Sequence, residues 1–174
     1  MMSTGPAIAL VTGVAVLLMM AGEALLSRVN EAALRRRGAI EPPDDVYRAM
    51  QWAYPLAFVA MVAEGALTGP APRMALVTGL PLYGLAKALK LWAITTLGDR
   101  WSFRVLVEPG RPLVRTGPYR ILRHPNYLAV VGELVGVALT VWAPIAGAVG
   151  VCGFGWLMWR RIGVEDRALG RGQP

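Results

Sequence analysis

From its first residue the chain alternates long apolar stretches with short segments crowded with arginine. The apolar stretches cover residues 6–26, 46–67, 74–97 and 127–159, and the last is interrupted at Trp142-Ala143-Pro144. Each of the first three runs about 20 residues, which at about 1.5 Å per residue matches a hydrocarbon core roughly 30 Å thick. The fourth is too long for one crossing and divides at Pro144, a residue suited to the first position of a helix. Pro125 suits the same position one helix earlier, with His124 at the cap. The expected architecture is all-α: an integral membrane bundle of about five transmembrane helices, near residues 6–26, 46–67, 74–97, 125–141 and 144–161, in a single domain over 1–174. The last two lie at the lower edge of spanning length, so a re-entrant hairpin packed against the others is an alternative.

Composition supports a non-aqueous solvent. Hydrophobic residues make up 55% of the chain before its 20 glycines are counted, against about 45–50% for soluble domains with glycine included. The excess of 18 Lys+Arg over 11 Asp+Glu could suggest nucleic acid, but the basic residues fall in separate clusters between the apolar stretches rather than in one stripe. A membrane surface explains them better, and no nucleic-acid partner is expected. Basic residues mark the cytoplasmic side of a membrane protein. They are absent before the first helix and represented only by Arg73 between the second and third. They crowd the first loop (Arg28, Arg35, Arg36, Arg37), the third (Arg100, Arg104, Arg111, Arg115, Arg120, Arg123) and the C-terminal arm (Arg160, Arg161, Arg167, Arg171). The expectation is a multi-pass protein of the cell (inner) membrane with its N-terminus outside and its C-terminus in the cytoplasm. The first apolar stretch lacks a basic leader and continues past Glu23, and is read as a retained helix. The single cysteine, Cys152, offers neither a disulfide nor a Cys-based metal site, and is expected to be a small buried hydrophobe. Residues 170–174, Gly-Arg-Gly-Gln-Pro, are expected to fray.

Ionisable residues inside apolar stretches are costly and normally face a polar cavity or a partner. Glu23, Glu64, Lys87 and Lys90 are expected to reach water from near helix ends or to cap neighbouring helices. Glu133 lies over two turns into the fourth helix, too deep for that, and is a candidate for a polar, substrate-facing site. The densest polar chemistry is Gly117-Pro-Tyr-Arg-Ile-Leu-Arg-His-Pro-Asn-Tyr127, which brings two arginines, two tyrosines and the only histidine to one membrane interface. A purely structural reading makes it an interfacial helix start with an aromatic-basic belt. Arg161 and Glu165 are four residues apart, on one face if the fifth helix continues.

Taken together, Gly-Pro-Tyr-Arg-x-x-Arg-His-Pro-x-Tyr, a membrane hairpin, and then Arg-x-x-x-Glu resemble the isoprenylcysteine carboxyl methyltransferase family. The resemblance extends upstream through Leu91-Trp-Ala-Ile-Thr-Thr-Leu-Gly-Asp-Arg-Trp101 and Arg111-Pro-Leu-Val114, and covers about residues 91–169. It implies a cytoplasmic pocket for S-adenosylmethionine surrounded by Arg111, Pro112, Leu113, Val114, Tyr119, His124, Pro125, Asn126, Tyr127 and Glu165. Arg161 would face the methyl acceptor, and Arg161 and Glu165 are taken as the catalytic pair; Glu133, from its depth in the fourth helix, is a further candidate acceptor contact. Two positions depart from the family pattern: Ala129 stands where Gly is usual, and Glu165-Asp166 replaces Glu-Glu. The acceptor implied is a small lipidic molecule entering from among the membrane lipids; the sequence sets neither its identity nor the oligomeric state. For a carboxylate acceptor Arg161 would orient the anion by a two-pronged pair and no base is needed. For a phenol or amine, His124, Glu165 or a water they hold would take the proton. Two other readings compete: a nicotinamide-dependent membrane lipid reductase, similar around His-Pro-x-Tyr, and a non-catalytic lipid-binding membrane protein.

Overall fold

A computed structural model describes residues 4–170; Arg171 and the rest of the expected frayed end, apart from Gly170, lie outside them. The described residues form five helices: α1 (Thr4–Arg36), α2 (Tyr47–Thr68), α3 (Arg73–Leu97), α4 (Pro125–Val141) and α5 (Pro144–Ala168). Two 3-10 turns, Gly98–Arg100 and Gly117–Arg120, lie in the long connection between α3 and α4. Among the described residues β pairing is limited to an isolated antiparallel bridge between Ile40 and Val107.

α3 and α4 form the closest pair, and small residues make it possible. A Cβ on Gly79 would lie 2.7 Å from Thr140 Oγ1 and 2.8 Å from the Gly136 carbonyl, and one on Gly136 would lie 2.7 Å from the Tyr83 backbone nitrogen. With Gly132 against Ala86, the spacing Gly132, Gly136, Thr140 makes a small-residue stripe that lets the two backbones approach, as helices in lipid commonly do. α2 and α5 close the bundle around Phe58, Met61, Leu134, Val137, Phe154 and Met158, all buried. Large apolar side chains also point outward, among them Leu18, Leu67, Trp52 and Trp159. A contiguous apolar exterior of this kind fits lipid rather than water. By length and composition, Gly5–Arg36 and Arg73–Arg100 can each cross a membrane, and Pro125–Val141 is a shorter apolar helix.

The turn between α4 and α5 works because Trp142 takes a left-handed conformation (φ 54°) and gives its N–H to the Ala138 and Leu139 carbonyls. Pro144 then starts α5, and the Glu64 carboxylate of α2 accepts from the N–H groups of Ile145 (3.0 Å) and Ala146 (2.6 Å). Glu64 is thus a cap for a neighbouring helix, satisfying donors that a helix start leaves open.

Three expectations are corrected. α1 runs ten residues past the expected end at 26, and α5 seven past 161, because falling hydrophobicity marks where apolar solvent ends, not where the helix does. Arg28, Arg35 and Arg36 are therefore on α1 and not in a loop. Cys152 is exposed on the outer face of α5 instead of buried. Glu23, Lys87 and Lys90 do not reach water; with Glu133 they form a buried network. Lys87 Nζ lies 2.8 Å from Glu23 and 2.9 Å from Glu133, and Lys90 Nζ 2.7 Å and 3.2 Å from the same two carboxylates. Each lysine touches both acids, so two cations and two anions cancel while joining α1, α3 and α4. The Tyr54 hydroxyl of α2 also donates to Glu133.

Candidate functional site

At the end of the bundle where α4 begins, a cavity of about 560 Å³ is walled by parts of all five helices, a volume within the 300–1,000 Å³ usual for small-molecule sites. Its roof is the connection after α3. Asn30 of α1 donates to the carbonyls of Gly98 (3.1 Å) and Trp101 (2.8 Å), and the Phe103 N–H donates to Ser27 Oγ (2.8 Å). Further along, Arg104 pairs with Glu41 (2.6 Å) and Glu31 (3.3 Å), and Val107 exchanges backbone hydrogen bonds with Ile40. Glu108 takes Arg37 at 2.5 Å and Arg111 beside it. Arg100 donates to the Pro112 carbonyl at 2.8 Å, which brings the Arg111–Val114 strip onto the wall. Gly117 then turns the chain at φ 54°, where a Cβ would meet Thr96 Oγ1 at 2.5 Å, and the following turn delivers Tyr119 to the cavity.

His124 precedes Pro125 at the start of α4, but its side chain makes no cap hydrogen bond. It turns toward α5 instead: Nε2 lies 3.2 Å from Asp166 Oδ1 and Nδ1 lies 3.6 Å from Glu165 Oε2. Tyr127, one turn on, links the two remaining groups. Arg161 Nε donates to the Tyr127 hydroxyl (2.9 Å), and that hydroxyl donates to Glu165 Oε2 (2.9 Å). Arg161 is 5% exposed and also donates to the Phe103 carbonyl, with Asp45 Oδ1 at 3.4 Å from Nη1. Burial alone would raise the Glu165 carboxyl, but the His124 hydrogen bond, the Tyr127 hydroxyl and the Arg161 charge together hold it below the usual carboxylate range. It is an anion at neutral pH. Asn126 Oδ1 is buried on the cavity wall with no hydrogen-bond partner, a state that protein interiors rarely tolerate unless a ligand or water completes it.

The structure brings Arg111, Pro112, Leu113, Val114, Tyr119, His124, Pro125, Asn126, Tyr127, Arg161 and Glu165 to this one cavity. Glu133 is the exception: it is not on the wall, and only its partners Tyr54 and Lys90 are. The contacts of Arg161 are internal ones. Its donors already hold Tyr127 and Phe103, so the free two-pronged grip on a carboxylate is not the arrangement present.

Several wall residues escaped the sequence reading: Ser27 and Glu31 of α1, and Tyr47, Met50, Gln51 and Tyr54 of α2. The α2 set falls at i, i+3, i+4 and i+7, one face of a helix. A polar stripe on the first two turns of an otherwise apolar segment was the available signal.

Comparison with known proteins turns on residues 79–171, which match the family model described as the isoprenylcysteine carboxyl methyltransferase (ICMT) family, over half of the chain. The chain belongs to that family. It is also 30% identical over 149 residues to a Bacillus subtilis protein named uncharacterized protein YpbQ, covering 86% of this chain and 89% of the other. A Haemophilus influenzae uncharacterized protein is 25% identical over 141 residues, covering 80% and 82%. No solved structure matches. ICMT-family membership points to methyl transfer at a membrane. The matched stretch holds every residue nominated for the donor, whereas Tyr47, Met50 and Tyr54 lie outside it.

Proposed function

We propose that this ICMT-family chain transfers a methyl group from S-adenosylmethionine to a small lipidic acceptor at the cytoplasmic surface of the cell membrane. The observation that carries the reading is the convergence of His124, Asn126, Tyr127, Arg161 and Glu165 on a cavity whose other end is apolar. The donor fits the polar end. Asn126 Oδ1 awaits a donor hydrogen, the ionised Glu165 and the faces of Tyr119 and Tyr127 suit a cation, and the Arg111–Val114 strip completes the wall. Bound there, the donor would supply a methyl group activated by its sulfonium charge.

The protein's own contribution is placement. Holding two reactants in line removes much of the entropic part of the barrier, and the chain Arg161, Tyr127, Glu165, His124, Asp166 ties the N-terminal turn of α4 to the last turns of α5. Arg161, anchored to the roof through Phe103, fixes the Tyr127 hydroxyl so that its proton faces Glu165. The acceptor's tail would lie along Leu17, Met20, Ala21 and Ala24 of α1, Pro55 of α2 and Phe154 of α5. A carboxylate acceptor loses no proton; a hydroxyl or amine acceptor gives its proton to His124 or Glu165.

The membrane arrangement follows from the same end of the bundle. The arginine-rich segments 28–37, 98–123 and 160–167 meet around the roof, which supports a cytoplasmic position for that end. The chain is then multi-pass with its N-terminus outside and C-terminus inside. Titrating purified protein with S-adenosylmethionine and, separately, with reduced nicotinamide cofactor tests the donor: binding of the first alone is expected, and a folded protein that binds only the second, or neither, ends the proposal. Incubation with labelled methyl donor and lipid extracts, followed by mass analysis of the labelled product, then identifies the acceptor.

A further inference from the structure

The buried charge network is unevenly disposed. Lys87 lies over the Tyr83 ring, away from the cavity, while Lys90 lines the cavity together with Tyr54. Two carboxylates occupy Lys90, an ammonium has three donors, and the Tyr54 ring lies 5.3 Å from Nζ. Stability alone does not account for this placement, because buried ionic groups are often replaceable by apolar ones at no cost. An ammonium group on the wall of a lipid-tail channel is a poor choice unless something polar passes it.

The depth of the pair is set by helix geometry. From Tyr127 to Glu133 is six residues of α4, about 9 Å, and from Met50, beside Arg161, to Tyr54 is four residues of α2, about 6 Å. Beyond that level the wall is apolar again, with Leu17, Met20 and Pro55. The cavity is therefore polar at the methyl-transfer end, apolar at the far end, and polar once more between them at Lys90 and Tyr54.

We propose that Lys90 and Tyr54 form a second polar contact for the acceptor. The protein then selects amphipathic molecules bearing a hydroxyl or carbonyl oxygen about 6–9 Å further along than the atom that receives the methyl group. This rests on the methyl-transfer reading above. The test titrates four probes into the full-length protein in detergent: hexadecanoic acid and hexadecan-1-ol, each with and without a hydroxyl on the seventh carbon. S-Adenosylhomocysteine occupies the donor site so that no turnover intervenes, and its own affinity is measured first. The hydroxylated probe of each pair should bind about ten-fold tighter or better, as expected for a hydrogen bond to a charged group. The paired change Lys90→Met/Glu133→Gln keeps the network neutral, leaves Lys87 and Glu23 together, and should abolish the preference without altering nucleoside affinity. Tyr54→Phe removes only an oxygen and should reduce it; that variant decides the matter if the paired one does not fold. Equal binding of all four probes, binding of none, or a preference that survives these changes overturns the second contact. Absence of nucleoside binding in the wild-type protein would instead strike the methyl-transfer reading.

Discussion

Replacing Tyr127 by Phe removes one oxygen that connects the two residues nearest the proposed chemistry. The hydroxyl accepts from Arg161 Nε and donates to Glu165 Oε2, both at 2.9 Å. Each bond involves a charged partner, a class worth about 1.5–3 kcal/mol. The partners are not stranded: Arg161 keeps the Phe103 carbonyl and Asp45, and Glu165 keeps His124. The loss should therefore be nearer one such bond than two, about 1.5–3 kcal/mol, or roughly 10- to 150-fold in donor affinity. Calorimetric titration with S-adenosylmethionine measures it directly, with thermal unfolding as the check that the ring still packs. A double-mutant cycle with Glu165→Gln should show coupling of about 0.5–3 kcal/mol, because the residues share one hydrogen-bond chain. A change below two-fold in an intact protein, or strictly additive effects, would refute the linkage and return Tyr127 to a belt of interfacial aromatics. The same linkage predicts a shared effect for Arg161→Ala and Glu165→Gln. Both should weaken the donor.

Acid dependence follows from Glu165, whose folded pKa lies below its ordinary value of 4.5. A depressed carboxyl contributes fully above the unfolded value and loses that contribution as pH falls through the lower, folded one. The donor-affinity gap between wild type and Glu165→Gln should thus be constant above pH 4.5 and close only below it; a gap that closes at higher pH contradicts this account. Gly136→Ala places a Cβ 2.7 Å from the Tyr83 backbone nitrogen, so α3 and α4 must part, and thermal unfolding should show a loss of about 1–3 kcal/mol. Lys90→Met alone leaves excess buried negative charge and should cost about 3–5 kcal/mol, distinctly more than its pairing with Glu133→Gln in the same unfolding assay. Reporter fusions after Gly69 and after Pro174 should read outside and inside respectively, and the opposite result would move the site to the other face of the membrane.

The helices were legible because apolar run length and proline position are written directly in sequence. The side of the cavity formed by residues 111–127 was legible because those residues lie close together in the chain, in a motif that could be matched. What was hidden depends on contacts between distant segments. Asp45 gains meaning only beside Arg161, Asn30 only beneath Trp101, and Glu23 only when α3 presents two lysines at the right height. The helical overrun of α1 was missed for a different reason. From Ser27 onward the inward face carries Ser27, Asn30 and Glu31, which hold the roof, and the loss of hydrophobicity was read as the end of the element. The contacts of Arg161 were hidden for the same reason, since the Phe103 carbonyl that accepts from it lies 58 residues away.

The length of α1 couples the roof to the thickness of its host membrane. Its 33 residues make a rod about 50 Å long, some 20 Å more than a hydrocarbon core. The surplus carries Ser27, Asn30 and Glu31, which hold the roof from below. A thinner bilayer is accommodated by tilting such a rod, and here the free end of the tilt is the support of the cavity's cover. Under the proposed methyl transfer, lipid chain length would then become a control variable for a reaction with a soluble donor, and turnover in nanodiscs of short- and long-chain lipids should differ even when acceptor and donor concentrations are held fixed.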